Sequence, residues 1–271
     1  MNFYKWFFLE EGRSPAGLFS FQHLITVTLT LAAFVCLAFF LSRKFKNDEK
    51  KQNLVLLIAG IAIVVLQIAK YIFLLIETDD IVDCLVGNLP LYFCDIAIYL
   101  IPLAALTRGR FKAICIDFVA ICGVLMGFMG NYFAGNLYPS HAIISWAVFN
   151  ALLNHSLSAF AAMFIWFSGM NKMEKRNIPF VIAVLFSFMT VALILDYTLE
   201  KNFMFFFSGD GTPFTLFHDL VKGNKIIYQI IIYILQCGYI GAFYACYYPI
   251  ARRFEKHRQE KAAKQEEVEQ N

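Results

Sequence analysis

Seven apolar stretches of roughly bilayer length run through this chain and leave few folds open to it. A helix needs about 20 predominantly apolar residues to cross the hydrocarbon core of a membrane. Segments 22–41, 54–76, 89–106, 114–130, 142–167, 178–199 and 226–248 come close to or exceed that length. The chain is 59% hydrophobic and 16% charged, whereas soluble domains run nearer half apolar and a quarter charged. The expected fold is therefore an all-α polytopic transmembrane helix bundle of seven spans. It forms one domain over residues 1–248, followed by a polar tail over 249–271.

The placement of Lys and Arg adds an orientation. The first, third and fifth loops and the tail together carry seventeen basic residues, among them Arg43, Lys51, Arg108, Arg110, Lys172, Arg176 and Arg252. The N-terminal segment and the second, fourth and sixth loops carry five. Basic residues are retained on the cytoplasmic side, which predicts an external N-terminus, a cytoplasmic C-terminus and a multi-pass protein of the cell membrane. An even number of spans would break this alternation. The tail is rich in charge and helix formers and reads as a juxtamembrane helix.

The seven cysteines form no CxxC pair, and no His cluster accompanies them. Six fall inside apolar spans, where a thiol behaves as a small apolar side chain. No structural disulfide, metal, cofactor or nucleic-acid partner is expected. The expected partners are the lipid bilayer and a membrane lipid substrate, and the oligomeric state is left open. In the sixth loop, Gly209, Gly211 and Pro213 interrupt a Phe-rich stretch over 202–223. Such a stretch either anchors at the aromatic interface or re-enters the bundle, where protein must satisfy its backbone.

Ionisable residues inside a membrane are functional candidates by default. Lys70 lies about 7–8 Å outward of the centre of its span, and Asp95 lies about 4 Å outward of its own. The matched depths predict an ion pair. Asn154 and His155 sit at the middle of the fifth span, Asn150 lies one turn outward, Asp196 is near the end of the sixth, and His23 is near the outer end of the first. Gln67 shares a helix face with Lys70 and Tyr71, and Gln229, Tyr233 and Gln236 make a similar stripe on the last span. These residues predict a polar cavity in the outer half of the bundle. Asp117 reads as an interfacial residue, and Gly123 with Gly127 as a small-residue packing face.

Several of these residues fall in recognisable motifs. Leu89-Pro90-Leu91-Tyr92-Phe93-Cys94-Asp95, the Phe149–His155 segment, Asn202-Phe203-Met204-Phe205 and Phe21-Gln22-His23-Leu24 stand in an order that resembles the YwaF / transmembrane protein 164 family of integral membrane proteins. The resemblance covers about residues 19–248. It implies a fold related to integral membrane lipid hydrolases. One branch is described as a phospholipid acyltransferase that uses a Cys and a His, which match Cys94 and His155 here. Asn154 stands where Ser is expected, and Phe217-His218-Asp219-Leu220 replaces a Gly-Pro-Trp-Pro stretch.

The chemistry implied is nucleophilic. A Cys94 thiolate attacks an acyl ester, with His155 as the base that removes the thiol proton and later protonates the leaving alcohol. Lys70, Asp95, Asn150, Asn154, His23, Gln67 and Asp196 would bind substrate or support the pair. The alternative is a membrane transporter or lipid flippase in which the same Lys, Asp and His residues serve substrate or protons.

Overall fold

Helix starts are written locally into the chain. The computed structural model describes residues 2–171 and 173–269, with side chains through Arg253, so Lys172 and the side chains of the distal tail lie outside the described residues. Ser20 accepts from the His23 amide at the start of helix α2 (Phe21–Lys44), and Asp48 does the same for Lys51 at the start of α3 (Glu49–Glu77). A short helix α1 (Phe3–Phe7) precedes them. Each cap satisfies one of the amides that a helix N-terminus leaves free. The chain continues through α4 (Ile81–Gly87), α5 (Ile96–Leu106), α6 (Gly109–Tyr132), α7 (Trp146–Ser168) and α8 (Ile178–Leu199), then α9 (Phe214–Leu220) and α10 (Lys225–Glu269). Gly169, at φ 72°, closes α7 in the left-handed conformation that a glycine adopts without Cβ strain.

All regular structure among the described residues is helical. Six helices are long and apolar enough to cross a membrane, and Phe93–Leu106 is a shorter apolar seventh. The outer surface fits a lipid solvent. On α3, Ile58, Ile61, Val65, Ile68, Ile72 and Ile76 recur at helical spacing, and each is more than half exposed. Water would tolerate such a stripe poorly, while lipid tails cover it without penalty. The opposite face of α3 buries Leu56, Ala59, Gly60, Ile63 and Gln67.

Helices α6 and α7 form the centre, with 67% of the apolar window of each buried against 11–33% for the other spanning helices. Small residues set their approach. A Cβ on Gly123 would meet the Ser158 carbonyl at 2.7 Å, and one on Gly127 would meet the Ala159 Cβ at 2.4 Å. The small-residue face expected at these two glycines is therefore the α6–α7 contact. Gly60 plays the same part for α3, lying under the Pro102 ring of α5.

The third span differs from its expected extent. Its helix begins with a tight turn at Phe93–Asp95, so residues 89–92 are not helical. Turn and helix together reach about 22 Å, well short of the ~30 Å hydrocarbon core. Pro90 disfavours helix at Leu89, and the start itself is set at Tyr92, whose extended backbone and amide are held by the Asp95 carboxylate. The fifth span also starts later than expected, at Trp146, after Ser145 caps the Val148 amide.

Asp117 is enclosed by protein rather than open at the surface. It is 1% exposed, and its carboxylate accepts from the Met173 amide at 3.3 Å and the Asn177 side chain at 3.1 Å. It ties the α7–α8 connection down onto α6.

At the opposite end of the bundle the N-terminal segment lies across the helix ends. Glu10 accepts from the Ala142 amide at 2.6 Å and pairs with His141 at 2.7 Å. Arg13 stacks over Trp6 at 4.2 Å and donates to the Ile144 carbonyl. Tyr4 donates to Glu77 at the end of α3. Phe8 sits between Phe73 and Trp146, at ring-centroid distances of 5.3 and 5.6 Å.

Candidate functional site

The Leu89–Asp95 motif is held from three sides. Tyr71 of α3 donates to the Asn88 carbonyl at 2.7 Å, which fixes where the motif begins. The Asp95 carboxylate turns back and accepts from the Tyr92 amide at 3.1 Å. Its other oxygen lies 3.9 Å from the Cys94 sulfur. Asp95 was expected to face a neighbouring helix. It caps its own helix instead, because a helix that starts here leaves free amides within its reach.

The third side is the sixth loop. Asp196, 0% exposed near the end of α8, accepts from the Phe203 amide at 2.5 Å. Asn202 donates to the Ser208 carbonyl and hydroxyl and to Asp210 at 2.7–3.0 Å, and accepts from the amides of Phe207 and Ser208 at 2.7 and 3.3 Å. These bonds fold residues 202–210 into a knot in which Met204 and Phe205 take φ of 50° and 63°. Left-handed φ at bulky residues is strained and needs such support. Phe203, Met204 and Phe206 are wholly buried, so this stretch enters the bundle rather than resting at the interface. The Tyr92 ring packs against Phe203 and Phe205 at 5.9 and 5.6 Å. Two of the motifs singled out in the sequence are thus in contact.

His155 comes from α7. Its imidazole lies flat against Gly130 of α6, where a Cβ would stand 2.3 Å from the ring. Its Nδ1 is buried with no well-aligned hydrogen bond, the Ala151 carbonyl one turn back being the backbone group that approaches the ring, and the Oδ1 of Asn154, a residue only 7% exposed, is buried without a partner. Lys70 of α3 lies within electrostatic reach of Cys94, Asp95 and His155. The expected ion pair is not a direct one, since Lys70 and Asp95 are more than 4.0 Å apart. The Asp95 carboxylate is instead engaged at Tyr92 and Cys94. No hydrogen bond joins Cys94 to His155 either, although the sequence placed them within or near reach.

Other expected members have structural partners of their own. His23 is wholly buried and satisfied. Its Nδ1 accepts from the Phe19 amide at 2.9 Å, which leaves Nε2–H to donate to the Asn131 carbonyl at 3.0 Å. Asn131 in turn donates to Ser156 at 3.4 Å, so His23, Asn131 and Ser156 link α2, α6 and α7. Asn150 donates to the Leu66 carbonyl of α3 at 2.9 Å. Gln67 is buried one turn before Tyr71. On α10, Gln229 bonds Tyr197 and Tyr233 meets Thr190, both on α8. Gln229 and Tyr233 thus join α10 to α8, while both polar atoms of the Gln236 side chain are buried without a partner.

Gly130, Tyr92 and Asn202 position the site and were not among the residues expected to form it. For Asn202 a signal existed, since Asn, Asp and Gly within ten residues announce a turn.

Comparison with protein-family models matches residues 18–247 to the TMEM164 family. No curated protein and no solved structure matches. The matched stretch contains every residue discussed at the site and leaves out helix α1, Glu10 and Arg13.

Proposed function

The chain belongs to the TMEM164 family, and from that premise we propose that it is an integral membrane lipid acyltransferase or lipid-ester hydrolase acting through Cys94 and His155. The observation that carries the reading is convergence. Lys70, on α3, lies within electrostatic reach both of the Cys94–Asp95 turn at the start of the third span and of His155 on α7. On α7, the His155 Nδ1 and the Asn154 Oδ1 are buried polar atoms with capacity left for a substrate.

In the proposed cycle His155 takes the thiol proton and the Cys94 sulfur attacks the ester carbonyl. The C–O bond then breaks, and His155 returns the proton to the leaving alcohol. A lysolipid hydroxyl or water cleaves the resulting thioester and restores the thiol. Because the resting pair shares no hydrogen bond, the cycle includes movement of the Cys94 turn toward His155. Catalytic hydrogen bonds commonly tighten only with substrate bound. Lys70 supplies positive charge for the ester oxyanion or a lipid phosphate.

The same proposal includes the orientation. The loop from Arg43 to Lys51 and the tail over 249–271 face the cytoplasm, and the site over residues 1–248 opens in the outer half of the cell membrane.

The test is to reconstitute the purified chain in nanodiscs with a fluorescent lipid ester, with and without a lysolipid, and to identify products by mass spectrometry. Cys94→Ala and His155→Ala should each lower turnover by about 10²–10⁴. Acyl transfer yields a new diacyl lipid, and hydrolysis yields free fatty acid. Unchanged turnover in both variants would sink the enzyme reading. One feature favours a transporter as the second reading: the interrupted third span, since half-helices that end inside the bundle are a transporter trait.

A further inference from the structure

Helices α5, α6 and α8 leave an open groove of about 540 Å³, with an almost wholly apolar lining, on the lipid-facing side of the bundle. That volume is in the range of small-ligand sites. Phe111 and Phe180, in the first turns of α6 and α8, form one end. Tyr99 and Phe188 form the other, with their rings 5.5 Å apart. The eight-residue step from Phe180 to Phe188 makes the groove about 12 Å long along the bundle.

The Phe111–Phe180 end opens among positive charges. The Arg110 guanidinium sits over the Phe180 ring at 4.3 Å, and one of its nitrogens donates to the Arg176 carbonyl at 2.9 Å. A guanidinium has five N–H donors, so stacking and one bond fix its direction while most donors remain for a ligand. Arg108 and Arg176 are exposed at the same end; of the acidic groups near them, Glu174 is paired with Arg176 at 2.5 Å and Glu49 with Lys112 at 2.8 Å, which leaves Arg110 without a carboxylate partner among the described residues.

We propose that this groove binds one acyl chain of an acidic phospholipid, with the headgroup phosphate on Arg110. An apolar trough supplies no specificity among lipids, but the fixed guanidinium at its mouth does. A planar fork matches phosphate oxygens in two parallel bonds, and a headgroup without an ammonium brings no like charge against the positive rim. Basic pockets between membrane helices recognise anionic headgroups by this logic. The site is separate from Cys94 and His155 and does not depend on their chemistry. It still touches the motif at one point, because the Tyr99 hydroxyl at its inner end donates to the Pro90 carbonyl at 3.4 Å.

Native mass spectrometry of the detergent-purified chain tests this, using dioleoylphosphatidylglycerol against dioleoylphosphatidylcholine. The wild type should retain one phosphatidylglycerol with about five- to tenfold preference. Arg110→Gln should abolish the preference. Ala183→Trp, which fills the groove from its exposed lipid side, should remove retention of both lipids. A thermal melt of each variant establishes that binding is read on folded protein, and Arg110→Lys, which keeps the charge and loses the fork, should retain an intermediate preference. Equal retention of both lipids by the wild type would mean bulk boundary lipid only and overturns the proposal. So does phosphatidylglycerol binding that survives either Arg110→Gln or Ala183→Trp unchanged.

Discussion

His155 lies where a side chain on Gly130 would be. The ring atoms stand 2.3–2.6 Å from an ideal Cβ at that position, closer than any real contact, so even alanine must displace the imidazole or part the two central helices. Overpacking of this kind costs about 1–3 kcal/mol. Gly130→Ala is expected to lower thermal stability in detergent by that order and to remove lipid-ester turnover. Gly238→Ala is the matched control, because nothing lies within 4 Å of its Cβ position, and it should leave both unchanged or slightly raise stability through helix propensity. A Gly130→Ala protein with wild-type melting and wild-type turnover would show that the seat of the imidazole is unimportant. The residue types at this site were legible in the sequence, since a mid-span His stands out by its cost in lipid. Its seat was not. Gly123 and Gly127 announce a packing face by their spacing, but which α7 side chain meets Gly130 depends on how the two helices are rotated, and one chain's pattern does not specify that. The same limit explains His23. Its depth was readable, while its two hydrogen-bond partners, on Phe19 and Asn131, come from contacts no local pattern announces.

At the scale of elements, two irregular segments do more to shape the site than the long helices around it. The late start of the third span places Cys94 in a capped turn, and the sixth loop inserts Phe203, Met204 and Phe206 beside it. Hydropathy cannot see the first feature, because Leu, Tyr and Phe are equally apolar whether extended or helical. It left the second open for the same reason, since buried and interfacial Phe score alike. Asn202 makes five of the loop's hydrogen bonds. Asn202→Ala strips these from a partly buried segment and is expected to destabilise the protein on the order of 2–4 kcal/mol, read as a lowered midpoint of thermal unfolding, with the loop newly open to protease. A resistant loop at wild-type stability would place its order elsewhere. The N-terminal segment is a separate case, lying outside the stretch matched to the family. Glu10 fastens it through His141 and the Ala142 amide. Glu10→Gln keeps one acceptor but loses the charge, so hydrogen exchange in residues 3–16 should rise while exchange in α6 and α7 stays as in the wild type. Faster exchange throughout would mean that the segment supports the whole fold rather than covering one end of it.

For the whole molecule the bilayer is the organising constraint, and that is why so much of the architecture was legible. Its thickness sets how long an apolar run must be, and its lack of hydrogen-bonding partners allows only closed backbone structures. Six long apolar helices and one short one follow from those two facts and from little else in the sequence. Orientation rests on a different physical effect, the retention of Lys and Arg on the cytoplasmic side, and it makes a prediction of its own. The bundle gathers basic residues at one end, where Arg43, Arg108, Arg110 and Arg176 flank the helix termini, and acidic ones at the other, where Glu77, Asp79, Asp80 and Asp83 surround α4. Cys84 lies in that acidic helix and is a free, partly exposed thiol, so it serves as a native reporter. In a background where the other six cysteines are replaced, a membrane-impermeant maleimide added to intact cells should label Cys84. The same reagent should miss a cysteine placed by Ala262→Cys in the tail until the membrane is permeabilised. Labelling of both from outside would break the odd number of crossings, and labelling of the tail alone would invert the orientation. The proposed site would then open toward the cytoplasmic leaflet, and the positive rim at Arg110 would face the other leaflet.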